Sequence, residues 1–432
     1  MTLIEDFDFY NRLLRSMTPL TPSVRLSSFL LACVLAAGSL AACDSAAETS
    51  LYDPNAPRNQ APVVESVSPS GVVLAGIDVI TVTGRNFSAT MSDNLVVFDD
   101  GRGASASGVI TEATTTMLKV KVPNLPNAAL RLRVSVLGAP DYSAPFALPL
   151  ASATTPFGGL DSGTAEGVFG IASNVAGDLI AQVSAGTTPA GIFRFAGDAP
   201  RTRVFASTET WADLTVAPNG TLYGVRRLRA AFRLPLNGTQ QTFSVQPNGV
   251  TLAAIAAAPN GDVWTGGSNA VPASGALYRV TSAGVSTPYP FAETVRDLVV
   301  AGGALYVASV TAESAKVWRY ALSADGTLGA GAVYVDVAAA LGPAVTLNAI
   351  AVARDGTLFV GTNAANPVLE VPAGGGTPVP LFPGVLRPPV SALAWAAGSK
   401  LYVSQQAVGA TVTTAVVPAR LYLLETRRQG PN

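Results

Sequence analysis

One short pattern recurs six times along the C-terminal two thirds of this chain of 432 residues. Each copy holds an apolar stretch, a turn with glycine and a second stretch of the Leu-Tyr-Val kind. The turn glycines stand at 177, 220, 261, 303, 356 and 398, so successive copies are 43, 41, 42, 53 and 42 residues apart. A period just above 40, built from short hairpins, is typical of a β-propeller blade, whereas a solenoid uses shorter units. The repeat therefore predicts a six-bladed propeller over residues 155–428.

The residues inside each unit refine this prediction. The first stretches are rich in alanine, as at Ala254, Ala256 and Ala258, which suits innermost strands that crowd around a central axis. Asn-Gly and Asp-Gly pairs in the turns predict type I′ hairpins, in which both central residues have a positive φ. Residues 155–166 are expected to add the outer strand of the last blade beside Arg420–Leu424, so that both ends of the domain close the ring.

The repeat also resembles a known group of proteins. The unit Ala349–Val360, AIAVARDGTLFV, is similar to the repeat of six-bladed propellers of the NHL and gluconolactonase-like groups. The resemblance implies the fold. It implies no particular activity, because this fold hosts binding, lactone hydrolysis, lyase and scaffold roles.

Residues 62–149 carry a different pattern. Val79–Thr83 alternates apolar and polar residues and stops at Gly84, and further strands of period two follow, with lysine and arginine on one face of Leu118–Val122 and of Leu130–Val136. Strands at this spacing in fewer than a hundred residues predict an immunoglobulin-like β-sandwich.

The opening of this segment resembles the IPT/TIG family. Val67–Gly71 followed by Val79–Phe87 is similar to the family's "sisPssG…vtitGsnF" opening, and Val120–Pro123 to its strand end. The resemblance implies a spacer or interaction module without catalysis. We expect Gly84 to adopt a positive φ at a turn and Phe87 to plug the end of the sandwich.

The N-terminus has the features of an export signal. Arg25 precedes the apolar run Phe29–Ala37, and Leu40-Ala41-Ala42-Cys43 resembles the bacterial lipobox, which implies that Cys43 becomes the acylated first residue. We therefore expect a signal peptide over residues 1–42, with Met17 as a start of more normal proportions, and a lipid-anchored flexible linker over residues 43–61. The expected location is the bacterial cell envelope, on the inner or outer membrane, facing the periplasm or the cell surface.

Composition excludes several kinds of chemistry. The 27 lysines and arginines nearly balance the 28 aspartates and glutamates, so there is no net field for nucleic acid, and none is expected as a partner. The absence of histidine excludes Ser-His-Asp and Cys-His catalysis. Both cysteines, Cys33 and Cys43, fall in the export region, which leaves the globular part without a disulfide or a thiolate metal site.

Residues that begin the innermost strands are expected around one mouth of the propeller channel. These residues are Trp211, Asp213, Arg296, Asp297, Asn348 and Ser391. They could hold a divalent cation such as Ca²⁺ through oxygen ligands, or a sugar through hydrogen bonds with Trp211 stacking on it. The alternative is that they cap strand ends. No confident metal site or catalytic residue emerges, and Arg226, Arg227 and Arg229 suggest a solvated hairpin.

These observations favour a binding module over an enzyme. We expect a cell-envelope lipoprotein whose propeller face binds a glycan, another polymer or a protein, with no cofactor and with the sandwich as spacer. The alternative is a propeller hydrolase or lyase of the gluconolactonase-like type that uses a divalent cation in the channel. A third possibility is a structural subunit of an envelope complex.

Overall fold

The computed structural model describes residues 59–197, 199–236, 238–270, 273–409 and 417–431. The predicted signal peptide, Cys43 and nearly all of the predicted linker lie outside the described residues. Within the described residues, no helix combines the length and apolar character needed to cross a bilayer. Apart from one short α-helix and one turn of 3-10 helix, the regular secondary structure of the described residues is all β.

The first domain is a sandwich of two four-stranded sheets. One sheet has the order β1-β3-β7-β6 and the other β5-β4-β8-β9, with a small parallel pair of β2 and β10 beside them. The strands are β1 (Val63–Ser68), β2 (Val73–Leu74), β3 (Val79–Arg85), β4 (Asn94–Asp99), β5 (Ser105–Ser107), β6 (Val109–Ala113), β7 (Met117–Lys121), β8 (Arg131–Val136), β9 (Phe146–Ala147) and β10 (Leu150–Ala151). Alternate residues of β3, β7 and β8 are buried, which confirms the predicted period of two.

Two details of the sandwich were predicted from its opening motif. Phe87 is buried, as expected. The prediction for Gly84 is wrong, because this glycine lies inside β3 and Asn86 carries the positive φ, at 63°. A Cβ atom at position 84 would lie 1.9 Å from the carbonyl oxygen of Val63, so glycine is required by the close approach of β1.

The second domain is a propeller of six four-stranded blades. Its strands are β11 (Thr154–Phe157), β12 (Glu166–Ser173), β13 (Leu179–Ala185), β14 (Thr188–Phe195), β15 (Thr202–Phe205), β16 (Asp213–Val216), β17 (Leu222–Val225), β18 (Ala230–Arg233), β19 (Gln241–Val245), β20 (Val250–Ala257), β21 (Val263–Ala270), β22 (Ala273–Val280), β23 (Ser286–Tyr289), β24 (Thr294–Ala301), β25 (Ala304–Val310), β26 (Ala315–Leu322), β27 (Leu328–Asp336), β28 (Leu347–Val352), β29 (Leu358–Thr362), β30 (Val368–Val371), β31 (Val379–Pro380), β32 (Val390–Trp395), β33 (Lys400–Gln405) and β34 (Arg420–Glu425). Blades one to five are consecutive sets of four strands from β12 to β31.

The sixth blade closes the ring. Its order is β32-β33-β34-β11, so the strand that follows the sandwich becomes the outermost strand of the last blade. Thr154–Phe157 pairs antiparallel with Leu421–Leu424, which confirms the predicted closure by both ends of the domain. The innermost strands β12 and β32 also contact each other, so the six inner strands form a complete circle.

Six apolar clusters hold the propeller together, one between each pair of neighbouring blades. The cluster between blades one and two contains Ile180, Trp211 and Phe232, all nearly or wholly inaccessible to solvent. The cluster that joins blade six to blade one contains Phe157 and Tyr402, whose ring centroids are 5.0 Å apart. Because each blade needs both neighbours to bury its two faces, closure of the ring is part of the stability of every blade.

The predicted hairpin type is wrong for the Asn-Gly turns. In the second blade the N–H of Gly220 bonds to the carbonyl of Ala217, and Gly220 has a φ of 81° while Asn219 has no positive φ. This is a turn followed by one left-handed glycine, as in three-residue hairpin loops. The Gly302-Gly303 turn alone of the six has a positive φ at both central residues, which is the geometry that a type I′ turn requires.

The long interval between the fourth and fifth units contains regular structure. β27 is followed by the helix α1 (Val337–Leu341), whose first turn is capped by the Asp336 carboxylate through the N–H of Ala339. The hydroxyl of Tyr334 donates to the carbonyl of Gly356 at 2.8 Å and ties this outer strand to the next blade.

Candidate functional site

The six innermost strands surround a central channel of about 990 Å³. The neighbouring inner strands of blades two and three run parallel, because Asp213 bonds to the N–H of Ile255 and Thr215 bonds to the N–H of Ala257, both 42 residues further along. The starts of these strands therefore lie at one mouth of the channel, as the sequence repeat predicts. Alanines of β20, β28 and β32 line the wall.

Each innermost strand has one extra residue close to its start. In five blades the pairing register between the first and second strands shifts by one residue there. In blade two Val225 faces two residues, because it pairs with Asp213 and its carbonyl also accepts the N–H of Ala212. Bulges of this kind redirect side chains and occur often beside functional sites. The six residues, called here the bulge ring, all line the channel; they are Gly170, Ala212, Ala253, Arg296, Asn348 and Ser391.

The bulge ring is asymmetric in chemistry. Blades one to three contribute Gly170, Ala212 and Ala253, and blades four to six contribute Arg296, Asn348 and Ser391. At position 170 a Cβ atom would lie 3.1 Å from the Cα of Asp213, so the small residue is dictated by close packing. Within the bulge ring, three blades thus contribute only glycine or alanine and the other three contribute polar side chains.

Three of the predicted site residues bond across blade boundaries. The Asp213 carboxylate accepts the N–H of Leu214 and of Ile255, each at 2.8 Å. Asp297 repeats the arrangement with Leu298 and Ile350, each at 2.7 Å. The Asn348 amide donates to the carbonyl of Val390 at 2.9 Å.

The two carboxyl groups have unusual acidity. Burial raises the pKa of Asp297 to about 7. Burial first, and then the nearby charge of Asp297, raises the pKa of Asp213 well above its usual value. The backbone N–H groups oppose both shifts, because they stabilise the ionised form.

This arrangement does not fit the divalent cation that the gluconolactonase-like resemblance raised as an alternative. Ca²⁺ takes six to eight oxygen ligands. Here each oxygen of the Asp213 and Asp297 carboxylates already accepts a backbone N–H group. Across the described part of the chain, no three His, Cys, Asp or Glu residues are grouped in a way that could hold a metal ion.

The structure corrects the role expected for Trp211. Its side chain has no exposed surface, and its indole N–H donates to the hydroxyl of Ser207 at 2.9 Å. The ring packs edge-on against Phe232 and lies under the guanidinium of Arg226. Stacking of a sugar on Trp211 is therefore wrong, because the indole belongs to the core between blades one and two.

One residue at the mouth was missed by the sequence analysis. Arg227 follows β17, lies exposed and lines the channel, whereas the sequence suggested a solvated hairpin for all three arginines. The two nearby arginines are engaged in other contacts. Arg226 pairs with Glu209 at 3.0 Å, and Arg229 donates to the carbonyl of Gln246. The pairing of Asp213 with Val225 brings Arg227 to the mouth, and the repeat carries no signal for this.

The fold and its mouth define an all-β protein that combines an IPT/TIG domain with a six-bladed propeller. Residues 62–148 match the family model described as IPT/TIG domain. No curated protein matches the chain.

Several solved structures share the architecture. An auxiliary nutrient binding protein from Bacteroides thetaiotaomicron is 11% identical, with 86% of this chain and 98% of that chain covered and a TM-score of 0.46. A luciferin-regenerating enzyme is 12% identical, with 61% and 93% covered and a TM-score of 0.50. A gluconolactonase from Xanthomonas campestris is 14% identical, with 61% and 87% covered and a TM-score of 0.44. At such identities the likeness concerns the fold alone.

Proposed function

We propose that this protein is a bacterial cell-envelope lipoprotein whose propeller binds a glycan at the mouth of its channel. The observation that carries the proposal is the bulge ring, which directs six equivalent residues toward one channel, three of them small and three of them polar. Ligand sites in proteins are concave and carry a few convergent polar groups.

The residues around the ring support recognition by hydrogen bonds. Ser391 and Gln406 lie within 3.3 Å of each other, and the Gln406 amide also donates to the carbonyl of Val168 at 2.8 Å. Such mutual bonding fixes the rotamers of the side chains before a ligand arrives, which lowers the entropy cost of binding.

The envelope location rests on the export motif at Leu40–Cys43, with the sandwich as a spacer between the membrane anchor and the propeller. Acyl chains on Cys43 would hold the protein at a membrane. A contact between the two domains suits this role: the Arg427 guanidinium pairs with the buried Asp78 carboxylate.

The test uses the mature protein in detergent, a glycan array and a variant that fills the mouth. Ala253→Trp places a large ring among the small residues of the bulge ring, and we expect it to weaken binding of any captured glycan at least about tenfold. Ala332→Trp, on the exposed outer strand of the fourth blade, is the matched control and should bind normally.

Two results would overturn the proposal. One is capture of a glycan with equal affinity by both variants, which would place the site elsewhere. The other is the absence of glycan binding together with co-purification of a fixed protein partner, which would favour an envelope subunit.

A further inference from the structure

We infer that the ligand of the channel mouth is an acidic oligosaccharide, whose uronic acid carboxylates pair with Arg227 and Arg296. The inference rests on the proposed function and specifies the class of glycan. It follows from the distribution of charge among the residues that line the channel.

Four charged side chains line the channel in the described structure, namely Arg227, Arg296, Asp213 and Asp297. The two aspartates are half-buried in the wall and their carboxylates hold backbone N–H groups of the inner strands. The two arginines are exposed at the mouth. A ligand that enters from this end therefore meets positive charge first.

Among the residues that the structure describes, no carboxylate pairs with either arginine. Some propeller arginines are paired with carboxylates: Arg201 bonds to Glu166 and Arg279 to Asp262. Arg227 and Arg296 form no ion pair with any residue that the structure describes.

The raised pKa values of Asp213 and Asp297 also make the mouth more positive. Protonation of either carboxyl group removes negative charge that would otherwise offset the arginines. The mouth is then more positive around neutral pH than a count of two arginines and two aspartates suggests.

The remaining polar groups select a hydroxylated anion. Arginine binds a carboxylate through two parallel N–H bonds, which gives both strength and orientation. The Asn348 amide nitrogen is used by Val390, which leaves its Oδ1 as an acceptor for a hydroxyl of the ligand. The small side chains of Ala212 and Ala253 in the bulge ring leave room for sugar rings.

The experiment measures dissociation constants for three probes with the mature protein in detergent. The probes are a uronic acid tetrasaccharide, the same tetrasaccharide with its carboxyl groups reduced to alcohols, and a pentaglutamate peptide. We expect the uronate to bind and the reduced sugar to bind at least about tenfold more weakly, as loss of a charged hydrogen bond requires.

Variants test the assignment to the two arginines. The double substitution Arg227→Gln and Arg296→Gln should weaken uronate binding about tenfold or more and flatten its dependence on salt. The double lysine variant should retain the salt dependence but lose part of the affinity, because lysine cannot form the two-pronged bond. Arg203→Gln, an exposed arginine on the outer strand of blade one, is the control and should bind like the unmodified protein.

The outcomes are separable. Equal binding of both sugars, or uronate binding that is unchanged in the double glutamine variant, overturns this inference while binding at the mouth can still stand. Strong binding of pentaglutamate without uronate binding also overturns it and indicates an acidic peptide ligand. Loss of the proposed function itself is shown instead by glycan binding that Ala253→Trp leaves unchanged.

Discussion

The carboxylate of Asp213 accepts the backbone N–H of Ile255 at 2.8 Å and joins the innermost strands of the second and third blades. Asp297 and Ile350 repeat this contact at 2.7 Å between the fourth and fifth blades. In a propeller, neighbouring inner strands are not paired as one sheet, so some of their N–H groups need another acceptor. These two aspartates supply it, which gives them a structural role in the channel wall.

Asp213→Ala should therefore destabilise the propeller. Two N–H groups lose their acceptor, and we expect the free energy of unfolding to fall by about 1 to 3 kcal/mol. Differential scanning calorimetry would show a lower melting temperature. Asp141→Ala, at an exposed position of the sandwich, should change stability by less than about 0.5 kcal/mol. Equal effects of the two variants would contradict the role assigned to Asp213.

Stability should depend on pH through Asp297. Its pKa is raised from 3.8 to about 7 on folding, so between these values the native state keeps a proton that the unfolded chain releases. The contribution of Asp297 to the free energy of unfolding is fully present below about pH 4 and is lost as pH rises through about 7. The slope is at most about 1.4 kcal/mol per pH unit. Asp297→Asn should remove this component. Melting temperatures of both proteins from pH 4 to pH 8 would check it, and a difference that does not change with pH would refute it.

Closure of the ring should depend on Phe157. This residue of β11 is 9% exposed and its ring lies between Phe195 and Tyr402, at centroid distances of 6.1 and 5.0 Å. Phe157→Ala should cost about 3 to 5 kcal/mol. Hydrogen exchange should accelerate first in β34 and β32, whereas Tyr142→Ala, half exposed on the sandwich, should leave both strands protected. Uniform acceleration across all blades would argue against local opening at the closure.

The junction between the domains should loosen in Arg427→Ala. Asp78 is only 8% exposed as a side chain and would lose its cation, at a cost of about 1 to 3 kcal/mol because Arg427 itself is half exposed. Hydrogen exchange at Leu74, whose N–H bonds to Asp78, would report the change. Arg102→Ala, exposed on the sandwich, serves as the control. Unaltered exchange at Leu74 in Arg427→Ala would show that the pair does not stabilise the junction.

Membrane attachment should depend on one cysteine. Cys43→Ser should move the protein from the membrane to the soluble fraction and abolish labelling by a fatty acid, since the acyl chains need the Cys43 thiol. Cys33→Ser, in the same export region, provides a matched control that should remain lipidated. Membrane retention of the Cys43→Ser protein would refute the anchor.

The larger features of the fold were predictable because they repeat. Six turn glycines at a nearly constant interval specify six hairpin units, and the alanines of β20, β28 and β32 specify which strand faces the axis. Even the closing strand β11 was predictable, since the last unit has only three strands of its own and a propeller protects its edges.

The candidate site was only half predictable. Asp213, Arg296, Asp297 and Asn348 line the channel as their position in the repeat suggests. Trp211 stands one residue before the bulge residue Ala212. The equivalent residues Val295 and Leu347 precede Arg296 and Asn348, and all three lie in the cores between blades. A single extra residue reverses the faces on which successive side chains of a strand lie, and the spacing of the turn glycines does not predict it.

The sequence by itself determined the number of blades, the sandwich that precedes them and the strand that faces the axis, because hydrophobic period and turn residues act locally and each unit repeats the same local choice. Only the tertiary structure decided which side chains meet at the mouth. Arg227 and Arg296 are 69 residues apart and belong to different blades. Their place in one channel depends on ring closure and on the bulges, which are properties of pairing between strands and between blades.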